Sequence, residues 1–189
     1  MPSRQPAPSL AHDNDTATLL TQAAMAEFCE HGYNGTDSNK IARRAGFAPQ
    51  TFYRWFKDKP AVFIAAYRAW EEQELALLDT LAAKKQPAHK MAEAVIRHHR
   101  EHLLFRRSLR QLALEIPEIR QARAASRERQ LKRILTWSGT APRDTILLGL
   151  FQVERLADAV AEGELADLGV SEAHARDTIA TIIEQARQK

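Results

Sequence analysis

Apolar residues recur every three or four positions along most of this chain, which is the spacing of helices with one buried face. Leu20, Ala24 and Phe28 show the pattern first and predict a helix over about 15–31. Interrupted by Gly, Pro and polar turns, the pattern predicts further helices: two short ones within 36–56, then 60–84, 88–106, a short one before Pro117, a longer one ending near Trp137, 142–162 and 171–188. Few β-branched runs and much Ala, Leu, Glu, Gln and Arg agree, so we predict an all-α fold of about nine helices.

The two short helices within 36–56 form a candidate helix-turn-helix. Gly46 suits the left-handed backbone that ends a first helix, and Pro49 suits the first turn of a second helix, where its missing N–H costs nothing. Phe52 and Phe56, four residues apart, are expected to face inward. This leaves the second helix with an exposed side able to hydrogen-bond phosphates and base edges, made of Gln50, Thr51, Tyr53 and Arg54.

Positive charge is concentrated in the same segment. Between Ser38 and Lys59, six Lys or Arg residues, Lys57 among them, stand against one acid, Asp58, although the whole chain carries a net charge of only +3. A polyanion partner explains this local excess, because each neutralised phosphate releases counterions and adds salt-dependent affinity. The alternative is a solvated helical hairpin within a larger bundle.

The run from Phe28 to Val62 resembles the signature of the tetracycline-repressor (TetR) family of transcriptional regulators. That run reads FCEHGYNGTDSNKIARRAGFAPQTFYRWFKDKPAV. The resemblance rests on three motifs. The opening motif consists of Phe28, Glu30, Gly32, Tyr33 and Thr36, and the helix-turn-helix core of Ile41, Ala42, Ala45 and Gly46. The closing motif consists of Thr51, Tyr53, Phe56, Lys57 and Lys59. The resemblance covers about a quarter of the chain and is far more specific than a single short motif.

The resemblance implies roles for individual residues. Thr36, Thr51, Tyr53 and Lys59 would contact DNA phosphates, and Pro49, Gln50 and Arg44 would lie nearest the base edges. The chain departs from the family pattern at Ser38, Ala48, Gln50 and Trp55. Ala48 stands where an N-capping Ser or Thr is usual, so a cap worth about 1 kcal/mol is absent or replaced.

Composition favours an ordinary globular protein of a reducing compartment. The 189 residues are 44% apolar, which is enough for a substantial core, and the single cysteine, Cys29, cannot form an internal disulfide. No run approaches the roughly 20 apolar residues of a membrane span, and no signal core is present, so we expect a cytoplasmic protein without a membrane partner. Gly-rich phosphate loops, nucleophile–base pairs and acid pairs are absent; we therefore predict no enzyme activity and no cofactor.

We divide the chain into three regions: a flexible, proline-containing tail over 1–14, a helix-turn-helix DNA-binding domain over 15–60, and a ligand-binding and dimerisation domain over 61–189. Candidate effector contacts are the helix-spaced aromatic and histidine residues Tyr67, Trp70, His98, His102, Phe105 and Phe151. Core packing is the alternative for each aromatic residue. His98 and His102 are four apart and fit a metal site, a polar patch in a pocket, or simple surface histidines; we prefer the latter two and predict no metal.

A basic stretch runs from Arg106 to Arg133, with nine basic residues against three acids. We interpret most of it as a solvated face, with a few arginines able to turn inward toward an acidic effector.

The last two predicted helices carry more apolar surface than one face can hold. In 142–162 apolar residues cover more than one side, and 171–188 has Ser171 as an N-cap and an apolar stripe. Two copies of both helices would make a four-helix dimer interface, as in the family, or both helices complete the core of one chain. The resemblance implies a homodimeric repressor that binds an inverted-repeat double-stranded DNA operator and is released by an unknown small-molecule effector. The alternatives are a ligand-independent or metal-responsive DNA-binding regulator and an activator.

Overall fold

The computed structural model describes residues 10–136 and 142–187, and within these ranges every regular element is a helix. The all-α prediction is therefore confirmed. Ten helices are described: α1 (Leu10–His31), α2 (Ser38–Arg44), α3 (Pro49–Trp55), α4 (Lys59–Ala83), α5 (Ala88–Glu101), α6 (Leu103–Glu115), α7 (Pro117–Leu135), α8 (Arg143–Glu162), α9 (Glu164–Asp167) and α10 (Glu172–Arg187). Among the described residues, no helix combines the length and apolar character that crossing a lipid bilayer requires.

The chain divides into two compact units, the first ending at Tyr67 and the second beginning at Arg68, so the boundary falls within α4. The first unit packs α1–α3 and the start of α4 around aromatic rings. The Phe28 ring lies edge-on to Phe63 at 5.0 Å and stacks on Tyr33 at 5.8 Å. Leu20, Ile41 and Phe52 complete this core and are fully buried. The predicted inward stripe of α1 and the inward position of Phe52 are thereby confirmed. Phe56, also predicted to face inward, is half-buried, with its ring centre 5.7 Å from that of Phe52.

Cys29 lies on α1 beside this core. Its sulfur lies 3.7 Å from that of Met25, and burial, aided by the negative charge of Glu30, raises the pKa of the thiol to about 11. The residue is therefore a protonated packing group at neutral pH.

The second unit is built on α5, α8 and α10. Its buried apolar cluster joins the three helices and consists of Ala92, Val95 and Ile96 from α5, Ala157 from α8 and Ile179 from α10. Gly149 of α8 allows a close approach to α10, because a Cβ there would lie 3.2 Å from Cγ2 of Ile182. The Ser171 hydroxyl accepts a hydrogen bond from the His174 N–H at 3.2 Å, as the predicted N-cap requires.

Several predicted boundaries were wrong. α1 begins at Leu10, so residues 10–14 of the predicted tail are helical. The predicted helix over 88–106 divides at His102, whose backbone leaves helical geometry (φ −119°, ψ 30°). α9 was not predicted, and it follows Gly163, a left-handed residue that ends α8. Trp137, the predicted end of the helix that the structure places at Pro117–Leu135, lies outside the described residues.

Gly46→Ala is expected to lower the free energy of unfolding by about 1 kcal/mol, because a residue with a side chain is strained in the left-handed backbone at φ 81°. Beyond the adjacent residues, no described atom lies within 4 Å of the added Cβ, so the cost comes from the backbone. Urea titration followed by circular dichroism measures it. Gly46→Asn is the matched control and should show a smaller loss of unfolding free energy, because Asn tolerates the left-handed conformation. Equal losses in the two variants would contradict the explanation.

Candidate functional site

The turn between α2 and α3 is closed by hydrogen bonds that the glycine makes possible. The N–H of Gly46 donates to the Arg43 carbonyl at 3.0 Å, and the N–H of Phe47 donates to the Ala42 carbonyl at 2.9 Å. Together they form a Schellman motif, which satisfies carbonyls left without partners at the end of α2. Pro49 then opens α3, and Ala48 supplies no side-chain cap, as predicted.

The first helix of this pair begins with a carboxylate cap. The Asp37 side chain accepts a hydrogen bond from the Lys40 N–H at 2.8 Å. This bond holds the pKa of Asp37 below its usual value. The Lys40 ammonium turns back to donate to the Gly35 carbonyl at 2.8 Å. One of the six basic groups in this segment is therefore engaged within the loop before α2.

Arg44 is engaged with α1. Its Nη1 lies 3.1 Å from Glu27 Oε1 and 2.7 Å from Glu30 Oε2, and its Nη2 contacts the other oxygen of Glu30. Hydrogen bonds to Glu30 and then Glu27 raise the pKa of this guanidinium, and the bond to Arg44 lowers the pKa of Glu30. The guanidinium therefore ties α2 to α1, which the sequence analysis did not anticipate.

Lys59 and Thr36 also make internal contacts. The Lys59 ammonium donates to the carbonyls of Tyr33 and Thr36, both at 3.0 Å, and lies 3.9 Å from the centre of the Tyr33 ring. Burial lowers the pKa of Lys59. Thr36 is 3% exposed, and its hydroxyl donates to the Glu27 carbonyl at 3.3 Å. Both residues fix the loop between α1 and α2, and their predicted contacts with phosphates remain predictions.

The remaining predicted DNA-binding residues lie on or beside α3. Gln50, Tyr53, Arg54 and Lys57 are exposed, with Tyr53 60% exposed; we call these four the α3 face. Thr51, predicted to be exposed, is half-buried, as is Pro49. The Tyr53 hydroxyl lies 2.8 Å from that of Ser38, so α2 orients the ring tip. Ser38 was noted only as a departure from the family pattern, and nothing in the sequence indicated this contact.

Four of the candidate effector residues meet in the second unit. Trp70 stacks on His98 with ring centres 4.9 Å apart, and the rings of His102 and Phe105 lie 6.3 and 6.4 Å from it. We call these four the Trp70 cluster. Tyr67 is buried at the end of the first unit. Phe151 is 55% exposed and lies 5.1 Å below the Arg127 guanidinium, so it faces outward instead of lining an interior site.

The basic stretch contributes a buried ion-pair network to the second unit. Arg106 Nη2 lies 3.0 Å from Asp158 Oδ2 and also contacts Glu154. His99 bridges two carboxylates, with Nδ1 2.8 Å from Asp158 and Nε2 3.2 Å from Glu74. Further ion pairs extend the network from α6 and α7: Arg110 to Asp158 and Glu162, and Arg123 and Arg127 to Glu154.

Some arginines of the basic stretch turn inward in this network, as predicted, whereas Arg107, Arg120, Arg129 and Lys132 are exposed. Arg106 and Arg127 are buried, and Arg110 and Arg123 are half-buried. Their partners are the carboxylates of α8, roughly 30 to 50 residues later in the chain, instead of an acidic effector. Burial alone would raise the pKa of the Asp158 carboxyl, but the bond to His99 and the charge of Arg106 hold it far below its usual range.

Comparison with known proteins relates the N-terminal part of this chain to a family of regulators. Residues 20–66 match the model described as bacterial regulatory proteins of the tetR family. A fatty acid metabolism regulator protein of Bacillus subtilis (strain 168) is 29% identical over 80 residues, which make up 42% of this chain. The match covers 41% of that protein, so the chain spans about two fifths of this curated relative.

Solved structures share the fold over nearly the whole chain. A TetR-family transcriptional regulator from Rhodococcus sp. has a TM-score of 0.69 at 17% identity, covering 93% of this chain and all of that one. A regulator from Saccharomonospora viridis, in complex with choline, has a TM-score of 0.64 at 16% identity, covering 90% and 96%. A fatty acid degradation regulator from Bacillus halodurans has a TM-score of 0.53 at 15% identity, covering 97% of each chain.

The network predicts a specific loss of stability in acid. Because the pKa of Asp158 is lowered by folding, its stabilisation is present above the unfolded value of 3.8 and is lost as the pH falls below it. Asp158→Asn should therefore flatten the fall in thermal midpoint as the pH drops from about 4 to about 2. At pH 7 the free energy of unfolding of the variant should fall by about 3–5 kcal/mol, because Arg106, Arg110 and His99 each lose a buried charged partner and Arg106 keeps only Glu154.

Thermal unfolding across this pH range provides the measurement. Asp167→Asn, at an exposed carboxylate on α9, is the control and should follow the parent curve. If Asp158→Asn keeps the parent's pH dependence, the network does not supply the acid sensitivity.

Proposed function

Since this chain belongs to the TetR family of bacterial regulatory proteins, we propose that it is a homodimeric repressor that binds an inverted-repeat operator and is released by a small-molecule effector. It is a DNA-binding transcriptional regulator, a class of protein without enzymatic activity. Because the protein would have to reach chromosomal DNA, we propose that it is located in the cytoplasm. An activator, or a regulator without an effector, would use the same DNA-binding surface.

The exposed α3 face is the observation that carries the proposal. Gln50, Tyr53 and Arg54 occupy one side of α3 by helical spacing, and Lys57 lies just after the end of this helix. A helix in the major groove presents such a set to base edges and to the flanking phosphates. We assign Gln50 and Arg54 to base edges, with Pro49 beside them, and Tyr53, Thr51 and Lys57 to phosphates.

Three other predicted DNA contacts take a supporting role in this proposal. Arg44 sets α2 against α1 through Glu27 and Glu30. Lys59 and Thr36 hold the loop before α2, which also positions the N-cap Asp37. These contacts support a rigidly held α3, and a helix that is already rigid loses less conformational entropy when it binds in a DNA groove.

The dimer is proposed to form through α8 and α10. Leu148 and Phe151 of α8 are 63% and 55% exposed, although the same helix buries Ala157 in the second unit's core. An apolar pair one turn apart on a helix exposes area that a second copy can cover. Two such pairs of helices make a four-helix interface and set two α3 helices on half-sites about 34–36 Å apart, or a multiple of that distance.

Domain roles follow from this arrangement. We propose that residues 15–60 bind DNA and that 61–189 bind the effector and dimerise. The Trp70 cluster is the proposed effector-binding region, and Phe151 moves to the dimer face. The predicted effector contact of Tyr67, which belongs to the first unit, remains a prediction. The structural neighbour in complex with choline supports small-molecule binding by this fold. A coupling of about 1–3 kcal/mol between effector and DNA is enough for a useful switch.

Lys57→Ala and Tyr53→Phe are expected to weaken binding to duplex DNA across sequences, each by about 1 kcal/mol or roughly fivefold, because each removes a phosphate contact. Fluorescence anisotropy with a labelled duplex over a series of salt concentrations measures the affinity. The salt slope for Lys57→Ala should fall by about one unit. Lys84→Ala, at an exposed lysine just after α4, is the charge-matched control and should bind as the parent does. Parent-like affinity and slope in both α3-face variants would reject the proposed surface.

Phe151→Glu is expected to convert the dimer to a monomer, because it places a charge in the apolar contact that two copies would share. Sedimentation velocity measures the change. Leu114→Glu is the matched control: this leucine of α6 is 89% exposed, but it lies on neither α8 nor α10. A monomeric parent, or an unchanged dimer in Phe151→Glu, would contradict the proposed interface.

A further inference from the structure

Two histidines and a carboxylate converge where α5 gives way to α6. His98, Glu101 and His102 each offer one ligand atom, and these atoms all lie within 4.8 Å of one another. Three ligands bound to Zn²⁺ at about 2.0–2.2 Å lie about 3.3 Å apart, so modest side-chain rotation closes the set around an ion. We propose that His98, Glu101 and His102 bind a divalent transition-metal ion of the Zn²⁺ class.

The backbone around the histidines prepares both rings for this role. His102 Nδ1 lies 2.8 Å from the His98 carbonyl, and His98 Nε2 lies 3.4 Å from the Trp70 carbonyl. A ring nitrogen facing a carbonyl carries the proton, which leaves a lone pair on the other nitrogen of each ring. Metal-bound histidines typically have such a second-shell partner, which fixes the tautomer and orients the ring.

Packing holds one ring and leaves the others adjustable. His98 is buried and stacks on Trp70 at an interplanar angle of 17°, so its position is set before an ion arrives. His102 is half-buried and Glu101 is exposed. The site is therefore anchored on its inner side and open to solvent on its outer side, which gives an ion a path of entry.

Structural roles account for the histidines but not for Glu101. His98 packs on Trp70, and His102 closes the end of α5 through its bond to the His98 carbonyl. Within 10–136 and 142–187, the Glu101 carboxylate makes no hydrogen bond or ion pair, whereas Glu74, nearby in the second unit, is paired with His99. An uncommitted carboxylate beside two oriented imidazoles is the third donor that a metal site needs.

The donor set selects the kind of metal. Two imidazole nitrogens and one carboxylate suit Zn²⁺, Cu²⁺, Ni²⁺ and Co²⁺, whereas Mg²⁺ and Ca²⁺ prefer all-oxygen sites. Three protein ligands also leave a coordination position for water or for an added ligand.

Isothermal titration of the chelator-treated full chain with ZnCl₂, in the absence of DNA, tests the site. We expect one Zn²⁺ per chain, and visible absorption bands on adding Co²⁺ that Zn²⁺ abolishes. His102→Gln should weaken Zn²⁺ binding by about 100-fold or more and Glu101→Gln by about 10-fold or more, because each removes a ligand. Glu101 is exposed, so its variant keeps the fold, which circular dichroism verifies.

His89→Gln and His174→Gln, at exposed histidines outside the site, are the controls and should bind Zn²⁺ as the parent does. Absence of Co²⁺ bands in the parent, or equal Zn²⁺ affinity in the parent and His102→Gln, would overturn the proposal. The inference rests on the proposed function only in placing the site within the effector-binding region. Because the titration contains no DNA, its failure would leave the α3 face unaffected, and failure of the DNA experiment would leave the metal site unaffected.

Discussion

Asp158 and Glu154 hold the guanidinium of Arg106 in the interior of the second unit, and this interaction constrains the helices that carry them. A buried charge costs several kcal/mol unless its partner is in place, so α6 and α8 can be packed well in few relative positions. His99 extends the same constraint to α5, and Glu74 extends it to α4. The Trp70 cluster therefore sits against a frame fixed by charge pairing as well as by apolar packing, with the Arg106 guanidinium 4.7 Å from the Trp70 ring.

The first unit uses polar contacts for a different purpose. Its core is aromatic, and the contacts of Arg44, Lys59 and Asp37 lie around that core, where they fix the loop and helix ends that support α3. These groups are partly solvated, so each contributes less stability than a buried pair. The main effect of these contacts is to fix the position of α3. The side chains of the α3 face stay exposed because the neighbouring residues Arg44, Lys59 and Asp37 make the contacts that hold the loop and helix ends.

Sequence reasoning succeeded where one residue decides the local backbone. Gly46 and Pro49 mark the turn because a left-handed backbone and a missing N–H are properties of single residues. Sequence reasoning failed where the local structure depends on residues that are distant in the chain. The break at His102 has neither Gly nor Pro, and it lies beside Trp70, some 30 residues earlier. The sequence around Arg106 did not indicate that its partners are Glu154 and Asp158, because a count of charges in one segment does not show ion pairs with another segment.

The protonated thiol of Cys29 has a practical consequence for spectroscopy. The Cys29 thiolate would be the nucleophile toward maleimide and methanethiosulfonate reagents, and the raised pKa keeps the thiol protonated at neutral pH, so it reacts slowly with them. As Cys29 is the one cysteine of the chain, a cysteine introduced at an exposed position of α3 would take up a spin label or fluorophore selectively in the otherwise native sequence. Distances between two such probes would then report the spacing of the two chains in the proposed dimer without first removing a native thiol.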